Sequence, residues 1–412
     1  MAFLNAAAIL LVLAALFSWL NQRFIRLPAS IALLLFSLGT SLAVVALGRL
    51  GFDSQRLAQE VLDKVQLDQA LLNGMLSFLL FAGALQVDLG ELAERKWAVG
   101  FLASLGVVVS TALVGVFMYY LFAALGHRIP LVWCLMFGAL ISPTDPISVL
   151  AILKHARVEK SLEMKLAGES LLNDGFAVVL FVLLLGVAVG GEKASVAYVS
   201  MLFAREVTGG ALFGLAIGYA AHRMLASVDQ YQVEILITLA LVTGGYALAS
   251  QLEVSGPIAV VVAGVLIGNQ TRRYAMSAKS RERVDTFWEL LDEILNAVLF
   301  VLIGLELLRL DYDARYAWAA ALAIPAVLLA RLLSVSVAAL VPRLRDEFPP
   351  YVIGILTWGG LRGGISVALA LSLPNSKFRD ALITVTYAVV VFSIVAQGLT
   401  LARLLRRRRV KQ

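Results

Sequence analysis

The chain has one cysteine in 412 residues. Cys134 therefore has no intrachain disulfide partner, and a cysteine-based metal cluster is excluded. Its place inside an apolar run reads as a small core residue. Histidine is scarce too: His127, His155 and His222 all fall near the ends of apolar segments, where solvated imidazoles are expected rather than pH sensors. Charged residues make up 15% of the chain, against about 25% in soluble domains. No stretch is long and polar enough to build an extramembrane domain. The apolar segment from Ala2 to Leu20 lacks a basic start, so it reads as a retained first span, not a cleavable signal peptide. These absences exclude a disulfide scaffold, a disordered chain and a soluble enzyme.

Apolar residues are abundant, at 60%, with a mean hydropathy of +0.88. About 20 apolar residues cross a bilayer as a helix. Breaks at charged, Gly and Pro positions divide the chain into about thirteen such spans. They lie near 3–20, 28–48, 67–87, 97–124, 130–153, 161–189, 206–226, 233–251, 255–269, 286–308, 316–341, 349–373 and 380–405. A net charge of +6 fits basic cytoplasmic loops better than nucleic-acid binding. Alternate connections differ in Lys and Arg by about twofold, which predicts the richer set to be cytoplasmic. That set includes Arg23, Arg95, Lys154, Arg223, Arg272, Arg343 and the tail Arg406–Arg409. The N-terminus is then outside and the C-terminus cytoplasmic, with the arginine tail on anionic lipid.

Two arginines, Arg331 and Arg362, belong to no connection and fall within spans, as do Asp145, Glu169 and Asp174. Ionisable groups at that depth face a partner or a watery cavity. Two spans are also interrupted. The fifth carries Ser142-Pro143-Thr144-Asp145-Pro146 and the twelfth Gly359-Gly360-Leu361-Arg362-Gly363-Gly364. Proline removes a backbone donor and glycine pairs loosen a helix. With the seventh span as connector, two six-span halves remain, each broken in its fifth span and running in opposite directions. This is the inverted-repeat pattern of secondary transporters. The expected fold is an all-α polytopic membrane protein of about 13 transmembrane helices, in two inverted six-helix repeats with crossed discontinuous helices.

The segment Gly168 to Gly175 concentrates the chemistry. Ser170 and Asp174 share one helix face, and Glu169 and Asn173 the neighbouring one. Hard cations take oxygen ligands. Asp174, Ser170, Asp145 and Thr144 could therefore hold a monovalent cation, or the segment could be a polar seam that only packs helices. Arg331 is paired with Glu169, with Asn173 steadying the contact; a structural role is preferred over direct transport of protons or cations. Arg362 would offset exposed carbonyl ends of half-helices, as Asp145 would offset amide ends; alternatively Arg362 snorkels to an interface. Gly210, Gly214 and Gly218 suit close helix packing or dimerisation. Asp292 and Glu293 either line a cation funnel or form a solvated face.

Together the runs Ser142–Pro146, Gly168–Gly175 and Gly359–Gly363 resemble the sodium/proton exchanger family, in its bacterial and archaeal NhaP-like branch. The run from Asn296 through Glu306 is similar to that family's tenth span. The resemblance implies exchange of a monovalent cation (Na+, with Li+ or K+ as options) for H+ across the plasma (bacterial inner) membrane by alternating access. No cofactor, nucleic acid or catalysis is implied. Thr144, Asp145 and Asp174 would bind cation and proton alternately, with Ser170 a further ligand, and Glu169–Arg331 with Asn173 would be structural. The family fold is a homodimer in which a mobile core slides against a fixed scaffold. That places scaffold helices in 1–96 and 227–308, core helices in 97–189 and 309–405, a linker helix in 190–226 and a short basic tail in 406–412. Several family members carry an acidic residue where this chain has Ala82, which leaves the choice of cation open. Electrogenic relatives carry a second aspartate at the position of Asn173, so an electroneutral exchange of one proton per cation is implied here. Two rivals remain. A cation channel would give uncoupled flux. An intramembrane aspartyl protease would need two aspartates sharing a proton, but the Gly-x-Gly-Asp motif of such enzymes is lacking.

Overall fold

The computed structural model describes all residues except 1, 51–73, 88, 91–95, 146–148, 150–159, 191–195, 273–274, 307, 309–313, 343 and 410–412. His155, Arg95, Lys154, Arg343 and the start of the expected third span lie outside the described residues. Among the described residues every regular element is helical. Helices α1 (Ala2–Leu20) and α2 (Ala29–Arg49) are joined by a tight link. Arg26 adopts a left-handed conformation there (φ 60°), and Asn21 bonds both the N–H and the C=O of Leu27. Next come α3 (Leu76–Gln86), α4 (Val107–Ala124), α5 (Leu131–Ile141), α6 (Lys160–Gly190), α7 (Val196–Leu225) and α8 (Tyr231–Gln251). They are followed by α9 (Gly256–Leu266), α10 (Ala278–Glu306), α11 (Ala317–Leu340), α12 (Pro350–Gly359), α13 (Gly364–Leu371), α14 (Arg379–Phe392) and α15 (Gly398–Arg409).

Seven described helices are long and apolar enough to cross a membrane, or eight if α12 and α13, bent by 49° at their break, form one span. Shorter apolar helices at Leu76–Gln86, Leu131–Ile141 and Gly256–Thr271 occupy three further positions where the sequence places spans. The expected fifth span, 130–153, is helical only to Ile141 before its Ser-Pro-Thr-Asp interruption.

Lipid tails are as apolar as leucine, so membrane helices associate through close packing of small residues rather than through burial from water. The bundle follows this rule. A Cβ on Gly138 (α5) would lie 2.4 Å from the Thr111 carbonyl oxygen of α4. The stripe Gly210, Gly214, Gly218 on α7 is filled by this chain's own α9: a Cβ on Gly214 would come 2.4 Å from the Ala259 carbonyl oxygen. Helix α10 rests on α2 in the same way, Gly304 against Ser37, and Ser41 Oγ donates to the Gly304 carbonyl at 2.8 Å. Arg379 closes the far end of half-helix α13, donating to the carbonyls of Leu373 at 2.9 Å and Leu371 at 3.1 Å.

Candidate functional site

The two interruptions meet. The Asp145 N–H donates to the Leu361 carbonyl at 2.7 Å, stitching one unwound segment to the other. Helix α5 ends at Ile141, leaving carbonyls without intrahelical donors. Arg362 supplies them: its Nη1 donates to the carbonyls of Ser142 at 2.5 Å and Pro143 at 3.1 Å. Arg362 is 2% exposed, so it does not snorkel to an interface. Its own N–H is held by Ser393 Oγ at 2.8 Å.

Asp145 lies at the other open end. A Cβ on Gly363, the N-cap of α13, would stand 2.7 Å from the Asp145 Cβ and 3.0 Å from its Oδ2. The carboxylate thus sits beside the N-terminus of α13, where unpaired amides and the helix dipole favour negative charge.

Helix α6 brings the remaining groups. Glu169, Ser170, Asn173 and Asp174 are all buried. Thr144 is the hub on the opposing segment: its hydroxyl is 2.7 Å from that of Ser170 and accepts from Asn173 Nδ2 at 2.8 Å. The Thr144 N–H points at Asn173 Oδ1, 3.4 Å away. The Asn173 amide is therefore given to Thr144, where the sequence had placed it beside the Glu169–Arg331 pair. The reason is geometric: the unwound turn leaves the Thr144 N–H and hydroxyl open, and an amide satisfies both at once.

Glu169 and Arg331 form a two-pronged ion pair. Arg331 Nη1 donates to Glu169 Oε1 and Nη2 to Oε2, the latter at 2.9 Å. Nε and Nη2 also reach the Leu356 carbonyl on α12, at 3.3 and 3.2 Å. Among the described residues Asp174 has no such partner. It is 2% exposed, none of them donates a hydrogen bond to its Oδ1, and the charges it senses are those of Asp145 and Arg362. Leaving a buried carboxylate oxygen unmatched is costly, and a proton or a cation would relieve that cost. The site so assembled joins Thr144, Asp145, Ser170 and Asp174 on one side with Glu169 and Arg331 behind them.

Sequence reasoning overlooked Ser393, which fixes the Arg362 backbone. Its only signal was one hydroxyl among several in that span, with Thr384, Thr386, Tyr387 and Thr400. Gln397, whose Nε2 donates to the Trp358 carbonyl at 3.0 Å, was overlooked as a single uncharged amide in the same span.

A membrane bundle with two interrupted helices crossing beside buried carboxylates has the architecture of a secondary transporter. The family model for the transmembrane part of sodium/hydrogen exchangers matches residues 8–407. The chain is 48% identical to the Na(+)/H(+) antiporter NhaP of Pseudomonas aeruginosa over 98% of its own length and 96% of that protein. It is 33% identical to the Na(+)/H(+) antiporter NhaH of Halobacillus aidingensis over 93% of each. Its fold matches the sodium proton antiporter MjNhaP1 of Methanocaldococcus jannaschii with a TM-score of 0.75, 19% identity and 99% coverage of both chains. The chain belongs to the sodium/hydrogen exchanger family.

Proposed function

We propose that this protein exchanges Na+ for H+ across a membrane by letting the two compete for one site. The observation that carries the reading is Asp174: buried, with an oxygen unmatched, beside Asp145 and the Thr144 and Ser170 hydroxyls. The names of its relatives support Na+ as the cation, with Li+ and K+ as further candidates. A cation channel would not need a buried carboxylate that has to be neutralised, and the relatives are antiporters.

The charge balance supports a ratio of one to one. Arg331 and Arg362 bring two positive charges to the crossing, and Glu169, Asp145 and Asp174 three negative ones. One Na+ or one proton makes the sum zero, so the loaded site carries no net charge in either form. The same reading has Asp174 as the exchanging carboxylate, Asp145, Thr144 and Ser170 as co-ligands, and Glu169–Arg331 as structure. Helices within 97–189 and 309–405 act as the moving core of a homodimer in a bacterial inner membrane. The remaining helices of 1–96 and 227–308 act as its scaffold, and the C-terminus is cytoplasmic.

The test is exchange in proteoliposomes with an internal pH dye, titrating Li+, Na+ and K+ separately and then imposing a potassium–valinomycin potential with Na+ as substrate. Na+-driven proton movement insensitive to that potential is the expected result. An uncompensated charge would couple by about 2.3 kcal/mol per 100 mV, so a clear acceleration or reversal would overturn the ratio. Flux without proton movement would overturn exchange itself.

A further inference from the structure

A second unmatched carboxylate lies away from the crossing. Glu234, in the first turn of α8, is 0% exposed, and among the described residues neither of its oxygens has a hydrogen-bond partner. Its place is set by α10, which packs alongside. Ser280, Val284 and Trp288 share one face of α10, at i, i+4 and i+8, and all three are buried. Trp288 Nε1 donates to Thr238 Oγ1 at 3.1 Å, one turn of α8 beyond Glu234. On the other side, Ser280 Oγ donates to Asp229 Oδ1 at 3.2 Å, in the turn that leads into α8. Glu234 is bracketed by these two bonded pairs and belongs to neither. Between them α10 presents Val284, which has nothing to donate. The Ser280 hydroxyl also acts on Glu234, and the neighbouring charge there, Asp229, is again negative. Among the described residues no lysine or arginine forms an ion pair with either carboxylate. Arg281, next to Ser280, acts on Asp285 instead. Asp229 is exposed, so the cluster opens to solvent there and ends blind at Glu234.

We propose that Glu234, Asp229 and Ser280 form a second cation site, separate from the crossing, for a hard divalent cation. A buried carboxylate without a donor is costly, and an ion relieves that cost. Two carboxylates without a basic partner carry two negative charges, which one divalent ion balances. With the hydroxyl they offer five side-chain oxygens, and water at the Asp229 end completes the roughly six to eight that Ca2+ takes. Mg2+ keeps several waters in a rigid octahedron, which the sealed end at Glu234 disfavours. The bound ion ties the turn before α8 to the first turn of α10. Its effect is therefore on the stability of that junction, and it needs no part of the exchange reading.

The experiment strips the purified protein with EDTA in detergent micelles and titrates it with CaCl2, MgCl2 or NaCl at matched ionic strength. Calorimetric binding and thermal unfolding are the two readouts. The expected result is one Ca2+ per chain and a melting temperature that rises with Ca2+ concentration, with a weaker response to Mg2+ and none to Na+. Glu234→Gln should abolish the response, and Asp229→Asn should weaken Ca2+ affinity by about tenfold or more, because ligand charge sets affinity. Asp174→Asn should bind Ca2+ as the wild type does, since the crossing is not involved. If Glu234→Gln does not purify, the exposed Asp229→Asn decides alone, and unchanged affinity there overturns the site. No Ca2+ or Mg2+ response in the wild type would also overturn it, leaving Glu234 a side chain that only carries a proton. So would an undiminished response in Glu234→Gln, or one lost in Asp174→Asn, because the ion would then bind elsewhere. A Na+ response equal to that of Ca2+ would overturn the divalent assignment.

Discussion

Asp145 and Arg362 each serve the helix end that the other's segment leaves open. Arg362, in the second interruption, caps the carbonyls that follow α5, and Asp145, in the first, lies at the N-terminus of α13. The consequence is mutual dependence. Arg362→Ala should destabilise the protein by about 1.5–3 kcal/mol, the scale of a lost hydrogen bond to a charged group. Arg362→Lys keeps the charge but lacks the planar fork, and should fall between the two. Thermal unfolding in detergent micelles measures both. Asp145→Asn should weaken Na+ affinity and lower the melting temperature together.

Arg331→Ala leaves Glu169 as a buried charge without its partner. Breaking such a pair costs roughly 3–5 kcal/mol, and the same melting experiment should register it. The double variant Glu169→Gln/Arg331→Ala should recover part of the loss, because no uncompensated charge remains. Additive losses in that double-mutant cycle would mean the pair is not coupled.

Asp174→Asn preserves shape and removes the titrating carboxylate. Na+-driven proton flux should disappear while the melting temperature stays within a few degrees of the wild type, or rises, since a buried charge has been removed. Normal turnover in that variant would take Asp174 out of the mechanism.

Asn173→Ala tests a contact that only the structure reveals. Its amide donates to the Thr144 hydroxyl at 2.8 Å and accepts the longer bond from the Thr144 N–H at 3.4 Å, so loss of these two neutral hydrogen bonds, about 1–2 kcal/mol in all, should appear chiefly as a severalfold higher KM for Na+. If Asn173 instead supported the Glu169–Arg331 pair, the main effect would be on unfolding.

The sequence made the charged residues legible because bilayer depth makes them expensive: Asp145, Glu169, Asp174, Arg331 and Arg362 stand out against an apolar background. The interruptions were legible because Pro143, Pro146 and the glycine pairs cannot continue a helix without loss. What was hidden depends on contacts between segments far apart in the chain. Nothing local says that the Asp145 N–H bonds Leu361, that Ser393 holds the Arg362 backbone, or that α9 fills the glycine stripe of α7. Asp292 and Glu293 were indistinguishable because the rotation of a helix is not written in its sequence: the fold half-buries Asp292, held by Asn296 at 3.2 Å, and leaves Glu293 exposed.

The glycines of the second break carry a further lesson. Gly360 and Gly363 do not have positive φ; their angles, −71° and −128°, are open to ordinary residues. Their identity answers to neighbours. A methyl group on Gly360 would meet Arg331 Nε at 2.9 Å, and one on Gly363 would meet Asp145. The motif is a mould, the negative image of an arginine and an aspartate carried on other segments. Enlarging either glycine should accordingly act by displacing Arg331 or Asp145 from its place rather than by stiffening the backbone. The information in that short run is distributed across three parts of the chain.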